Sequence, residues 1–307
     1  MELHLVDATY ELFRAHHTPR PPVRGRDGIL LTGVAGLVAT LLALLRDEGA
    51  THVACATDRV VASFRNDLYP GYKTDAGVPP ELLAQFPIAE RAIVALGVVS
   101  WAMVEHEADD ALATAAARWG GDGSPGGGGS GGRGPAAGVE RVLICTPDKD
   151  LAQCVVDGRV VLRDRRRDLT YDDAAVRAKW GVPPASIPDL LALVGDAADG
   201  YPGLPGWGAT SAAAVLARYG RLEAIPRDAA AWEVPVRGAE RLAATLRERF
   251  DEALLFRELA TLRRDSPLPE RDPDELRWLG TPRDGWRAFC DEMGLTRLAD
   301  RPHRWRT

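Results

Sequence analysis

Three short apolar runs punctuate the first half of the chain, and each closes on an aspartate. They are LHLVD ending at Asp7, HVACATD ending at Asp58 and RVLICTPD ending at Asp148. Runs of this length with little polar alternation predict strands buried on both faces. Between them the period changes. GVAGLVATLLALLRDEGA (Gly33–Ala50), PELLAQFPIAERAIVALGV and VEHEADDALATAAARW (Val104–Trp119) carry apolar residues at helical spacing. Strands alternating with helices predict an α/β fold: a parallel sheet with helices on both faces. Ligands of such sheets bind beyond the carboxyl ends of the strands. Asp7, Asp58 and Asp148 are therefore expected along one edge.

GGDGSPGGGGSGGRGPAAG, residues 120–138, interrupts this pattern. Its composition predicts a disordered surface insertion inside the domain, because the strand after it belongs to the same sheet. GRVVLRD reads as an edge strand or hairpin, and Arg165, Arg166 and Arg167 as a solvated turn in preference to a nucleic-acid contact. From Ile187 onward the pattern is helical, with Pro and Gly breaks. Arg221 to Thr307 is arginine-rich and carries no catalytic constellation.

The length of 307 residues suits one large α/β domain or two modest ones. No run of about 18 apolar residues occurs, so no membrane span is expected. The start MELHLVD does not read as a signal peptide. Four scattered cysteines lack zinc spacing, and a reducing, cytoplasmic setting is expected. The net charge of −6 argues at first against nucleic acid, but acids gathered at one site would mask a basic surface elsewhere. Lysine occurs only at Lys73, Lys149 and Lys179; the other cations are arginine.

The acids do gather. Glu107, Asp109 and Asp110 open a helix-like run, Asp148 and Asp150 flank a lysine in TPDKD, and Asp196 and Asp199 stand three apart in GDAAD. One or two acids at a helix start need only the partial positive charge of its free N–H groups. With Asp7 and Asp58 the set reaches nine, and nine anions in one place would force several to protonate unless cations intervene. Oxygen ligands without His or Cys favour Mg²⁺, with Mn²⁺ able to substitute. Two such ions about 3.5–4 Å apart are a recurrent device for phosphodiester hydrolysis, needing no protein nucleophile. The six histidines, His16 and His17 included, show no partner motif and read as ordinary polar residues.

Two further stretches complete the picture. GDAADGYPGLPGWGATSAAAVLARYG (Gly195–Gly220) is a glycine-rich turn entering an alanine-rich helix. Exposed N–H groups of Gly203, Gly206, Gly208, Thr210 and Ser211 would grip a phosphate backbone without reading bases. In FRNDLYPGYKTDAG, Arg65 and Lys73 are cations placed to stabilise charge on phosphate.

Taken together, LVDATYELFRA, FRNDLYPGYK, EADD, TPDKDLAQ and GDAADGYPGLPGWG resemble, in order, the motifs of the bacterial 5′-nuclease family, over about Leu3 to Leu262. That family includes 5′→3′ exonuclease domains of DNA polymerase I, phage 5′-exonucleases and flap endonucleases. The resemblance implies a resolvase-like (PIN-like) parallel sheet flanked by helices, with a C-terminal helix–three-turn–helix module that binds duplex backbone, often with K⁺. It implies Asp7, Asp58, Glu107, Asp109 and Asp148 around a first metal, and Asp110, Asp150, Asp196 and Asp199 around a second. It implies that Lys73 and Arg65 contact the scissile phosphate. The corresponding division is an α/β core over residues 1–183, with an arch at about 64–90, and a helical module over 184–307; no oligomer is expected. Two departures stand out. Thr210 occupies the place of a family lysine after the glycine turn, and TDAGVPPE beyond Lys73 has few basic residues.

The expected activity is removal of primers or flaps by cutting DNA at 5′ ends or 5′ flaps, with no polymerase domain following. The alternatives are a non-catalytic binder of branched DNA, against which the complete acid set argues, and a PIN-type ribonuclease, which would not need the glycine turn. A haloacid-dehalogenase phosphatase would need an aspartate two residues after Asp7, where Thr9 stands.

Overall fold

A computed structural model of the chain describes residues 1–121 and 136–306. Most of the insertion expected at 120–138 lies outside the described residues. Its two ends meet: the Ala136 amide donates to the Trp119 carbonyl at 2.9 Å.

In chain order the first half runs β1 (Glu2–Asp7), α1 (Ala8–His17), α2 (Thr32–Arg46), β2 (His52–Asp58), α3 (Arg65–Leu68), α4 (Pro80–Leu83), α5 (Phe86–Ala95), β3 (Val99–Met103), α6 (Ala108–Gly120) and β4 (Arg141–Cys145). Then come β5 (Val160–Asp164), β6 (Leu169–Tyr171), α7 (Asp173–Trp180), α8 (Ile187–Val194), α9 (Ala209–Tyr219), α10 (Ala239–Glu248) and α11 (Phe250–Ala260). The chain ends with β7 (Thr281–Pro282), α12 (Arg283–Met293) and β8 (Trp305–Arg306). The main sheet has the order β3-β2-β1-β4-β5-β6. All its pairings are parallel except β5–β6, a hairpin that puts β6 at the edge.

The alternation of side chains along each strand builds two cores. Leu3 and Leu5 of β1, with Val142 and Ile144 of β4, face α6, α8, α9 and α11. Val6, Cys55, Leu143 and Cys145 face α1, α2, α5 and α12. Both sheet faces are thus covered, as parallel strands require.

Four features depart from the sequence-based reading. β3 is a fourth parallel strand, drawn from VSWAM, whose half-exposed pattern masks it. β4 stops at Cys145, so Asp148 stands in the loop three residues beyond. Within the segment 64–90, read from sequence as a loop-like arch, short pieces are helical: the single-turn helices α3 and α4 and the start of α5. The last stretch does not stay with the helical module. Trp278 donates through Nε1 to the Leu96 carbonyl at 2.9 Å, and Trp286 and Phe289 of α12 sit in the core under α2 and α5. Among the described residues, no helix is long and apolar enough to cross a membrane.

If this return is integral to the α/β core, Trp286→Ala should cost about 3–5 kcal/mol, the range for deleting a buried aromatic. Urea unfolding should then show one transition moved to lower denaturant, not a separate early loss of the C-terminal segment.

Candidate active site

The acids meet at the carboxyl edge of the sheet, each held by local backbone logic. Asp7 ends β1 and caps α1, accepting from the Tyr10 amide at 2.8 Å, while its other oxygen accepts from Thr146 Oγ1 at 2.9 Å. Asp58 ends β2 and accepts from the Ala108 amide at 2.6 Å, at the start of α6. Its own amide donates to Thr9 Oγ1 at 2.8 Å. Asp148 accepts from the Asp150 amide at 2.9 Å, a tight turn that presents both residues of TPDKD to one place. Asp109, in the first turn of α6, joins them.

A second group lies alongside. One carboxylate oxygen each from Asp150, Asp196 and Asp199 falls within 4.8 Å of the others. Asp150 Oδ1 is buried without a hydrogen-bond partner. Lys149 lies against Asp196, with its ammonium 3.5 Å from Asp150.

The two groups share one electrostatic field. Burial raises the Asp7 carboxyl to about 7, with Asp148 and Asp58 adding to the shift. Burial also pushes up Asp109, reinforced by Asp7 and Asp148, and Asp150, reinforced by Asp148. Asp58 and Asp199 are raised by the same desolvation. Asp148 figures in both groups and so joins them. Five carboxyls driven toward protonation, a buried Asp150 oxygen with no hydrogen bond and only the Lys149 ammonium 3.5 Å away, and an all-oxygen donor set fit hard divalent cations.

Two expected members have other roles. Arg65 does not face a substrate: it is fully buried. Its guanidinium grips Asp110 with bonds of 2.8 and 2.7 Å, and donates to the Leu259 and Thr261 carbonyls at 2.8 and 3.1 Å. Asp110 is equally enclosed. Besides Arg65 it accepts from the Glu107 amide at 3.0 Å, completing a capping box on α6, and from the Arg263 amide at 2.8 Å. With its oxygens occupied by these donors, Asp110 is not presented as a metal ligand.

Lys73 remains accessible. Its ammonium lies 2.6 Å from Glu107 and 3.7 Å from Asp199, with the side chain 23% exposed. Burial opposes its charge, but Glu107, Asp58 and Asp199 outweigh that and raise its pKa. Burial likewise opposes ionisation of Glu107, yet Lys73 and Arg65 hold it below the usual carboxylate range. Ser63 Oγ donates to Glu107 at 2.6 Å and Tyr72 OH at 3.4 Å. Ser63, Tyr72, Thr146 and Lys149 belong to the site but were not singled out by sequence. Tyr72, Thr146 and Lys149 fall inside the motifs FRNDLYPGYK and TPDKDLAQ, whereas Ser63 lies outside every motif.

The glycine turn divides into two parts. Gly203 is buried, and a Cβ there would come within 2.3 Å of the Gly195 nitrogen. Its φ of +69° also suits glycine. Gly203 therefore closes the loop on itself and offers no open phosphate contact. Gly206, Gly208 and Thr210 are exposed and Ser211 half-exposed, at the start of α9. The loop also docks on the segment that carries Lys73: the Lys73 amide donates to the Asp199 carbonyl at 2.9 Å.

Comparison with known proteins matches residues 2–181 to the 5′-3′ exonuclease N-terminal resolvase-like domain and residues 182–283 to the 5′-3′ exonuclease C-terminal SAM fold. DNA polymerase I of Mycobacterium tuberculosis (strain ATCC 25618 / H37Rv) is 34% identical over 304 residues, covering 97% of this chain and 31% of that protein. DNA polymerase I of Bacillus caldotenax is 31% identical over 299 residues, covering 96% and 31%. The chain thus spans about a third of the length of these curated relatives. Among solved structures, T5 5′-exonuclease with bound divalent metal ions (zinc) aligns with a TM-score of 0.64 at 17% identity, covering 85% of this chain and 89% of that one. The catalytic core of Rad2 in complex with DNA substrate aligns with a TM-score of 0.56 at 15% identity, covering 94% and 86%. At such identities the structural likeness shows a shared fold. From the two family matches, the chain belongs to the 5′-3′ exonuclease family.

Proposed function

We propose that the protein is a divalent-metal-dependent 5′-nuclease that hydrolyses DNA phosphodiester bonds at 5′ ends and 5′ flaps during replication or repair. The observation that carries this reading is the carboxylate edge itself, where two groups of raised aspartates share one field beside the half-enclosed Lys73. Asp7, Asp58, Asp109 and Asp148 would hold one Mg²⁺ and Asp150, Asp196 and Asp199 a second, with Glu107 between Lys73 and the first group. Mn²⁺ would substitute. When bound, such ions would supply charge neutralisation and Lewis acidity for attack by water on phosphorus.

The chain's own groups do the remainder. Glu107 stays ionised and so keeps Lys73 protonated and aimed. A phosphate oxygen developing charge next to Lys73 would be stabilised there. Arg65 acts at one remove, fixing the first turn of α6 through Asp110 and tying it to the end of α11. The exposed turn from Gly206 to Ser211 would grip duplex backbone, with K⁺ as a candidate cation there. Thr210 brings no charge to this grip; the cation beside the turn is Arg241, whose Nε and Nη2 stand 3.7 and 3.8 Å from the place a Cβ of Gly206 would take.

Three outcomes test the reading. With end-labelled 5′-flap, nicked duplex and single-strand substrates, cleavage should require Mg²⁺ and favour the flap, and Asp148→Asn should abolish it while DNA binding persists. Full activity of Asp148→Asn at saturating Mg²⁺ would refute the proposal.

Lys73 and Arg65 should separate by assay. Lys73→Ala should lower kcat by about 10²–10³, the cost of losing a charge-stabilising donor. Arg65→Ala should instead cost about 3–5 kcal/mol in unfolding, because Asp110 is left buried and unpaired.

The raised acids also set a pH dependence. An Asp in an unfolded chain titrates near about 3.9, whereas Asp7 in the fold titrates at about 7. Between these values the folded state binds more protons, so this contribution to metal-free stability falls as pH rises. The metal-free Tm of Asp7→Asn should therefore decline less than that of the wild type from pH 4.5 to 7.5. The Tm increase produced by Mg²⁺ on the wild type should grow over the same range.

A further inference from the structure

The arginine run Arg165–Arg167 lies in the turn of the β5–β6 hairpin, and it is not uniformly solvated. Arg167 pairs with Asp164 at 3.5 Å. Arg165 is folded inward, 12% exposed, at 2.6 Å from Glu48, and it donates to the Thr40 carbonyl of α2 at 3.3 Å. Arg166 is exposed and has no ion-pair or hydrogen-bond partner among the described residues. It lines a cavity of about 350 Å³ between α1, α2 and the hairpin, together with Arg14, Arg20, Arg165 and a single acid, Glu11.

The cavity is built to keep two guanidinium groups available. Arg14 is occupied by Glu11. Arg20 donates to the Ala15 carbonyl at 2.9 Å and meets no carboxylate among the described residues. Gly36 of α2 makes the room: a Cβ there would stand 2.4 Å from Ala15 Cβ and 2.6 Å from Arg20 Nη2. Arg20 and Arg166 thus line one concave surface, and its acid, Glu11, is paired with Arg14 and with neither of them.

Its position relates it to the acid edge. Val6 is level with Cys145, and Ile144 with Leu162, so Asp7 and Asp164 end their strands at the same height. Two strand spacings of about 4.8 Å separate them, about 10 Å in all. Arg166 lies two residues past Asp164, close enough for its charge to act on Tyr10, in the first turn of the helix that Asp7 caps.

We infer that this arginine cavity binds a backbone phosphate of the DNA strand about three base steps from the phosphate being cut. About 10 Å between the strand ends of Asp7 and Asp164, from which Arg166 stands two residues on, corresponds to about three steps at about 3.4 Å rise per base. Guanidinium forks suit a phosphodiester, and contacts of this kind fix register without reading sequence. The inference rests on the nuclease reading above and adds to it a second grip, on the opposite face of the sheet from the glycine turn.

The test uses the full chain in the cleavage-deficient Asp148→Asn background, with Arg20→Ala, Arg166→Ala and both together. Binding of a fluorescent 5′-flap duplex is followed by anisotropy across a KCl series. Each phosphate neutralised contributes about 0.7–0.9 to the slope of log K against log salt. The double variant should lose about 0.7–0.9 from that slope, the share of one phosphate, at an unchanged unfolding midpoint. Substrates shortened stepwise on either side of the cut should erase the contrast on one side, when fewer than about three base steps remain. An unchanged slope, or a contrast that survives every truncation, would overturn the inference. Failure of the Asp148→Asn parent to bind DNA would sink the nuclease reading itself and this inference with it. Parental binding with an unaltered slope in the double variant sinks the cavity alone.

Discussion

The buried pair between Arg65 and Asp110 governs the rest of the site. A fully buried guanidinium is costly to desolvate unless every donor finds an acceptor. Here Asp110 takes two bonds, and the Leu259 and Thr261 carbonyls take two more. The acceptors come from the start of α6 and the end of α11, so one side chain sets the distance between the acid edge and the helical module. Glu107, at 3.2 Å from the same guanidinium, is fixed in turn and passes that order to Lys73. The segment carrying Lys73 is docked by backbone on the loop carrying Asp199. The elements on which the proposed chemistry depends are thus tied through one cation that touches no substrate.

Against this stands a deliberate strain. The aspartates at the sheet edge raise one another's pKa and are stabilised only in part by caps and hydroxyls. Asp7 and Asp58 each accept one backbone amide, at the starts of α1 and α6. Those bonds favour the ionised form, but burial and mutual repulsion prevail. An edge of this kind is destabilising for the apo fold and favourable for cation capture, a familiar exchange of stability for function.

Much of this was legible in the sequence, for reasons that can be named. A buried parallel strand needs continuous apolar character, so β1, β2 and β4 announced themselves and located Asp7 and Asp58. The glycine turn was legible because positive φ leaves glycine few substitutes. What escaped was what depends on distant partners or on half-burial. β3 has one free edge and so a mixed pattern. Asp110 and Asp109 are adjacent in sequence and chemically alike; only the arginine 45 residues away shows that one caps and the other faces the edge. Gly203 and Gly206 look equivalent as letters, yet one is pressed on the Gly195 backbone and the other is open. Nothing local in the last stretch shows that Trp278 and Trp286 return to the sheet, because an amphipathic helix does not specify which surface it covers.

The hydrogen bond from Ala136 to Trp119 has a practical meaning. It closes a stem at the end of α6, and closure entropy grows slowly with loop length, by about 0.6 kcal/mol per doubling. The site does not use that stem. It is therefore a natural port: a reporter domain or affinity handle spliced there would ride on the protein while the sheet edge stays as it is.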